Sequence, residues 1–175
     1  MKYLATFIRK SLFYDFCLPE LISICEMYKA NLQYDKSFSG DIFNDPVIEI
    51  DIPEIETSDI AQKICERAIL TRCIVKVYSE GSTVEELIQN VDREKFKVES
   101  ESEETMKFEV DAKGKVFSQN EKLDIIDKFN SLDFKGKVNL TNPKRLFIII
   151  DNHHRGKKYF GKIIAGGYSG NTIIY

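Results

Sequence analysis

This sequence lacks any apolar run long enough to cross a membrane. Leu146–Ile150 and Ile163–Ala165 fall far short of the roughly 20 residues a spanning helix needs. The stretch from Met1 to Arg9 is apolar over too short a length to be expected to act as a secretory leader. Cysteine is sparse: Cys17, Cys25, Cys65 and Cys73 stand eight apart in two pairs, with no Cys-x-x-Cys and no zinc-ligand spacing. A reducing, cytosolic setting is the expectation, with Cys25 on a buried helical face and Cys73 in a strand packing as small apolar groups. No glycine-rich phosphate loop follows a strand, since Gly161, Gly166, Gly167 and Gly170 have the wrong spacing and precede no helix. The G-x-S-x-G nucleophile signature is missing too. The only histidines, His153 and His154, are adjacent and have only Asp151 for support, which is thin for a metal. These absences leave no nucleophile–base pair or metal cluster for an enzyme to use within the chain.

What is present is a globular composition, 43% hydrophobic and 30% charged over 175 residues. The net charge of −3 conceals an asymmetry. Residues 1–133 carry 17 Lys and Arg against 27 Asp and Glu, whereas residues 134–175 carry 8 against 1. A basic final third joined to an acidic remainder points to a polyanion at one end of the chain.

The pattern predicts an α+β fold with two domains. In residues 1–79, Tyr3–Ile8 reads as a strand, and Leu18-Pro19-Glu20 opens a helix whose Leu21, Ile24, Cys25 and Tyr28 share one face. A weakly marked strand at Leu32–Tyr34 and a polar turn over Ser37–Asp45 follow. Ile48, Ile50 and Ile52 alternate with acidic residues as a strand. Ser58-Asp59 begins a helix that turns Ile60, Ile64 and Ala68 inward, and Cys73, Val75 and Val77 form a closing strand. The order is βαββαβ, the ferredoxin-like unit.

Residues 80–175 form the second expected domain. Ser82-Thr83-Val84-Glu85 is read as a capping box opening a helix with Val84, Leu87, Ile88 and Val91 on its apolar face. Glu99–Glu104 is read as a solvated acidic connector. Met106, Phe108 and Val110 make a strand. Ser118-Gln119-Asn120-Glu121 is a second capping box, leading a helix with Leu123, Ile125, Ile126 and Phe129 largely to one side. Leu146–Ile150 has no alternation, as in a strand covered on both faces. Tyr159–Ala165 is a further strand, the glycines at 166, 167 and 170 supply a turn, and Thr172–Tyr175 returns as the other arm of a hairpin. An ending in mid-strand suggests a piece of a longer chain.

The candidate site is the basic segment. Lys135, Lys137, Lys144, Arg145, Arg155, Lys157, Lys158 and Lys162 are interleaved with Phe134, Tyr159 and Phe160. Cations neutralise phosphates and aromatics stack on unpaired bases. Gly136, between two lysines, permits close approach of the backbone to a phosphate. Phe160 reads equally well as core.

Phe134-Lys135-Gly136-Lys137-Val138-Asn139-Leu140 followed by Asn142-Pro143, then Tyr159-Phe160-Gly161-Lys162 with Ile164-Ala165, and Phe16-Cys17-Leu18-Pro19-Glu20 near the start, occur in order along the chain. Together they resemble segments of the THUMP-containing tRNA guanosine-10 N2-methyltransferases. The resemblance implies a ferredoxin-like domain followed by a THUMP α/β domain that holds tRNA, largely by its acceptor end. It further implies S-adenosylmethionine as cofactor of a methyltransferase domain and, in eukaryotic members, a small zinc-binding activator subunit docked on that domain. The glycine-rich cofactor loop and the acidic-Pro-Pro-aromatic motif of that domain are missing here, and Asp45-Pro46-Val47 does not replace them. No catalytic, cofactor or activator-docking residue is therefore transferred.

The expected RNA contacts are Lys135, Lys137, Lys144, Arg145, Lys157, Lys158 and Lys162 on phosphates, Tyr159 as a stacker and Gly136 shaping the loop. The rival reading is a protein-interaction module, with the acidic half binding a basic partner and Thr172–Tyr175 as an exposed edge.

Overall fold

The computed structural model describes residues 1–8, 14–36, 46–113 and 116–167. The polar turn at Ser37–Asp45 and the returning arm at Thr172–Tyr175 lie outside the described residues. The chain forms two compact units, residues 1–76 with 163–175, and residues 77–162. These differ from a simple division at 79/80. Strand β4 (Thr71–Gly81) leaves the first unit for the second, and strand β7 (Lys157–Gly166) brings the chain back. No helix among the described residues is long and apolar enough to cross a membrane.

The first unit has the βαββαβ order expected. It consists of β1 (Tyr3–Phe7), α1 (Cys17–Met27), β2 (Gln33–Tyr34), β3 (Val47–Asp51), α2 (Ile60–Arg67) and the start of β4. Its strands lie in the order β2-β3-β1-β4, and every neighbouring pair is antiparallel. Ala5 sits between Ile48 and Ile74. Tyr3, Ala5 and Phe7 bury one face of β1 against Leu21, Ile24 and Cys25 of α1 and Ile60, Ala61 and Ile64 of α2.

Three local expectations change here. Tyr28 is 39% exposed, because α1 stops at Met27 and Tyr28 is its cap rather than part of its inner face. Ala68, likewise just past α2, is only half-buried. In β4, Ile74 is buried along with Cys73 and Val75, so both faces are covered where alternation had suggested one. At Gly166, φ is +82° and a β-carbon would lie 2.3 Å from the Arg72 carbonyl oxygen, so glycine is required there.

The second unit contains α3 (Val84–Gln89), α4 (Arg93–Glu101), β5 (Met106–Lys113), α5 (Gln119–Lys128), β6 (Arg145–Asn152) and most of β7. Strand β6 is central, parallel to β5 and antiparallel to β7. All its residues are buried, as its unbroken apolar run predicts.

The first cap is shifted by one residue. Thr83, in extended geometry, caps α3 by accepting the Glu86 N–H, and the Glu86 carboxylate accepts the Ser82 N–H. The Ser118–Glu121 capping box is present as read. Leu123 is 48% exposed, so the buried side of α5 rests on Ile125, Ile126 and the following Phe129.

Helix α4 has no counterpart in the sequence reading. It is almost wholly polar, and its one buried residue, Phe96, stands edge-on to Tyr78 at 5.0 Å and to Phe160 at 5.7 Å. One apolar residue leaves no periodicity to read.

Candidate nucleic-acid interface

Strand β6 divides the basic residues into two groups. Lys144 immediately precedes it, and residues 135–139 are pinned beside the start of its neighbour β5. The Lys135 N–H donates to the Ser100 carbonyl at 2.9 Å, and the Lys137 carbonyl accepts the Met106 N–H at 2.9 Å. The Lys144 N–H donates to the Thr105 carbonyl at 3.0 Å. Lys135, Lys137 and Lys144 thus gather at one end of the sheet with exposed side chains. None of the three has an ion-pair partner among the described residues.

Lys157 and Lys158 stand opposite Asn152 and Asp151, at the far end of β6. At about 3.3 Å per residue this is roughly 25 Å from Lys144. Both are engaged. Lys157 Nζ is 3.2 Å from the Glu80 carboxylate and 5.2 Å from the Tyr159 ring centroid, and Lys158 Nζ is 2.8 Å from Asp151. Arg155 lies at this end too, in a short 3-10 turn (His153–Arg155) whose two histidines are exposed.

Lys162 and Arg145 close on Glu99. Lys162 donates to its carboxylate, which also accepts the Tyr78 hydroxyl at 2.7 Å. Burial pushes the Glu99 carboxyl up, but the Lys162 and Tyr78 hydrogen bonds, with the Lys162 and Arg145 charges, outweigh it and leave it below the ordinary glutamate value.

Arg145 is only 4% exposed. Its guanidinium donates to the carbonyls of Glu99, of Ser102 at 3.0 Å and of Glu104 at 2.7 Å. The acidic run is therefore more than a solvated connector, because its backbone binds a buried cation. Arg145 is accordingly no phosphate contact. Tyr159, 2% exposed, has no free ring face to offer a base, and Phe160 is fully buried. Gly136 is buried, but its close approach is to Arg145 and Glu104 rather than to solvent.

Alternation and composition mark cations without telling which are buried. Nothing local distinguishes Arg145 from Lys144. The one available signal is that Arg145 adjoins the unbroken apolar run Leu146–Ile150, whose strand is covered on both faces. Among the described residues no three His, Cys, Asp or Glu side chains converge as a metal site would require.

The model of one known family, the Tmrp11 THUMP N-terminal domain, matches residues 1–164. The chain belongs to this family. Relatives of this THUMP N-terminal domain include the tRNA (guanine(10)-N(2))-methyltransferase of Saccharomyces cerevisiae, 31% identical over 162 residues, and the human TRMT11 enzyme of the same name, 27% identical over 165. Each alignment covers 87% of this chain and 34% of the relative. The chain thus spans about a third of the length of the curated relatives it matches.

Among solved structures, the THUMP N-terminal domain resembles PH1313 from Pyrococcus horikoshii, with a TM-score of 0.58 at 14% identity over 94% of this chain and 55% of that one. It also resembles TrmN from Thermus thermophilus, with a TM-score of 0.54 at 14% identity over 94% of this chain and 46% of that one. A 4-thiouridine synthetase solved with RNA and ATP gives 0.52 at 14% identity, over 92% and 40% of the two chains. These likenesses establish a shared fold.

Proposed function

We propose that this chain is the tRNA-binding part of a tRNA (guanine-10-N2)-methyltransferase. It holds tRNA for an S-adenosylmethionine-dependent catalytic domain, in a cytoplasmic enzyme that also takes a small zinc-binding activator subunit through that domain. The observation that carries this reading is the family match across residues 1–164, with curated relatives that are tRNA methyltransferases three times as long.

The chain's own contribution is electrostatic. Lys135, Lys137 and Lys144 share one end of the second unit, exposed and without ion pairs among the described residues, and so are available to phosphates. Lys157, Lys158 and Lys162 already neutralise carboxylates, and recruiting them to RNA would cost those pairs. Binding by three lysines reads the shape and charge of a folded RNA rather than its bases.

In this reading S-adenosylmethionine belongs to the catalytic domain, and no residue of the chain is assigned to it.

The test is tRNA binding by the chain across a salt series. With three phosphates neutralised, log K should fall against log salt with a slope of about −3. A flat response, or no retention of tRNA at low salt alongside capture of a basic protein, would overturn the reading.

A further inference from the structure

We propose that Arg145 and Gly136 form an interlock that positions the Lys135–Lys144 loop for RNA without touching the RNA. The inference rests on the tRNA-binding reading above and deepens it.

The loop has no helix or strand of its own to hold it. What holds it is a strip of backbone from Glu99 to Met106. Arg145 gathers that strip from below, its guanidinium bridging the carbonyls of Glu99, Ser102 and Glu104. Its Cζ also lies over the Phe147 ring, 5.6 Å from the ring centre. The gathered strip then offers its remaining groups to the loop. The Ser100 carbonyl takes the Lys135 N–H, Met106 both donates to the Lys137 carbonyl and accepts the Asn139 N–H at 2.9 Å, and the Thr105 carbonyl takes the Lys144 N–H.

Gly136 closes the interlock. A β-carbon there would lie 2.4 Å from Arg145 Nη2 and 2.3 Å from the Glu104 carbonyl oxygen, and the second of these is backbone that cannot swing aside. Only a residue without a side chain lets the loop settle onto the guanidinium. The Lys-Gly-Lys sequence thus has a division of labour, in which two lysines face solvent and the glycine faces a buried arginine. A lysine in place of Arg145 keeps the charge but cannot reach three carbonyls with a planar fork.

Two variants, Gly136→Ala and Arg145→Lys, test this in the whole chain by tRNA binding across salt and by amide hydrogen exchange. Expected for both are affinity weakened about tenfold or more and a salt slope falling from about −3 toward about −1. Exchange at the Lys135 and Asn139 amides should accelerate while β6 amides stay protected. Ile64→Ala, a change in the core of the first unit, should lower stability and leave the slope unchanged. Should Gly136→Ala fail to fold, Arg145→Lys decides alone. Unchanged exchange at Lys135 and Asn139 would overturn the interlock. Faster exchange with an unchanged slope would overturn its part in RNA binding. A parent chain that ignores tRNA would sink the earlier reading instead, with the exchange data still deciding the interlock.

Discussion

The Glu20 carboxylate accepts the Leu70 backbone N–H at 2.9 Å, across 50 residues of sequence. It takes the N–H of Ile69 at 2.9 Å and of Thr71 at 3.3 Å as well, so one side chain of α1 satisfies three donors where the chain turns into β4. Glu20 in the opening helix thus has a structural reason. Glu20→Ala leaves these donors to water and should destabilise the first unit by about 2 kcal/mol, the scale of hydrogen bonds to a charged group. Glu20→Gln, which keeps one acceptor, should recover part of that in urea unfolding. Equal stability of the Ala variant and the parent would remove the role.

The two ends of β6 should respond differently to charge reversal. Lys135→Glu with Lys137→Glu should reduce the salt slope of tRNA binding by about 2 while the circular dichroism spectrum stays that of the parent. Lys157→Glu with Lys158→Glu should change the slope less, since those side chains are already paired with Glu80 and Asp151. The reverse ranking would move the interface to the far end of the strands.

Glu99 should make the second unit sensitive to acid. Its folded carboxyl sits below the ordinary value of 4.5, so its stabilisation is complete above that pH. The stabilisation is lost as the pH falls through the depressed folded value. In Glu99→Gln this part of the acid limb should be absent, and the unfolding midpoint at neutral pH should drop because Arg145 and Lys162 lose their shared anion. Superimposable acid limbs in thermal unfolding would show that Glu99 contributes nothing.

Tyr159 should behave as core. Tyr159→Ala should cost about 3 kcal/mol through the cavity it leaves, while Tyr159→Phe should bind tRNA like the parent. Loss of tRNA affinity in the Phe variant, with stability intact, would return the ring to the interface.

Much of the fold was legible in the sequence because strands and amphipathic helices leave a period of 2 or about 3.6 in the apolar residues. β3, β5, α1 and α2 were read in that way, β1 from its aromatic and β-branched residues, and β6 from its unbroken apolar run. Helix α4 was illegible because one buried phenylalanine sets no period, and the first cap slipped by one residue because Ser82 and Thr83 are chemically alike at that position. The family too was visible in short ordered motifs.

By itself, the sequence determined the order of elements, the acidic and basic ends, and the presence of a lysine-rich loop, since all of these are carried by neighbours along the chain. Tertiary structure alone decided which cations remain available. Arg145 is buried by carbonyls 41 to 46 residues away, and Lys162 is paired with a carboxylate 63 residues away. The fate of a charge depends on which distant backbone and side chains fold around it, and local pattern carries no record of them.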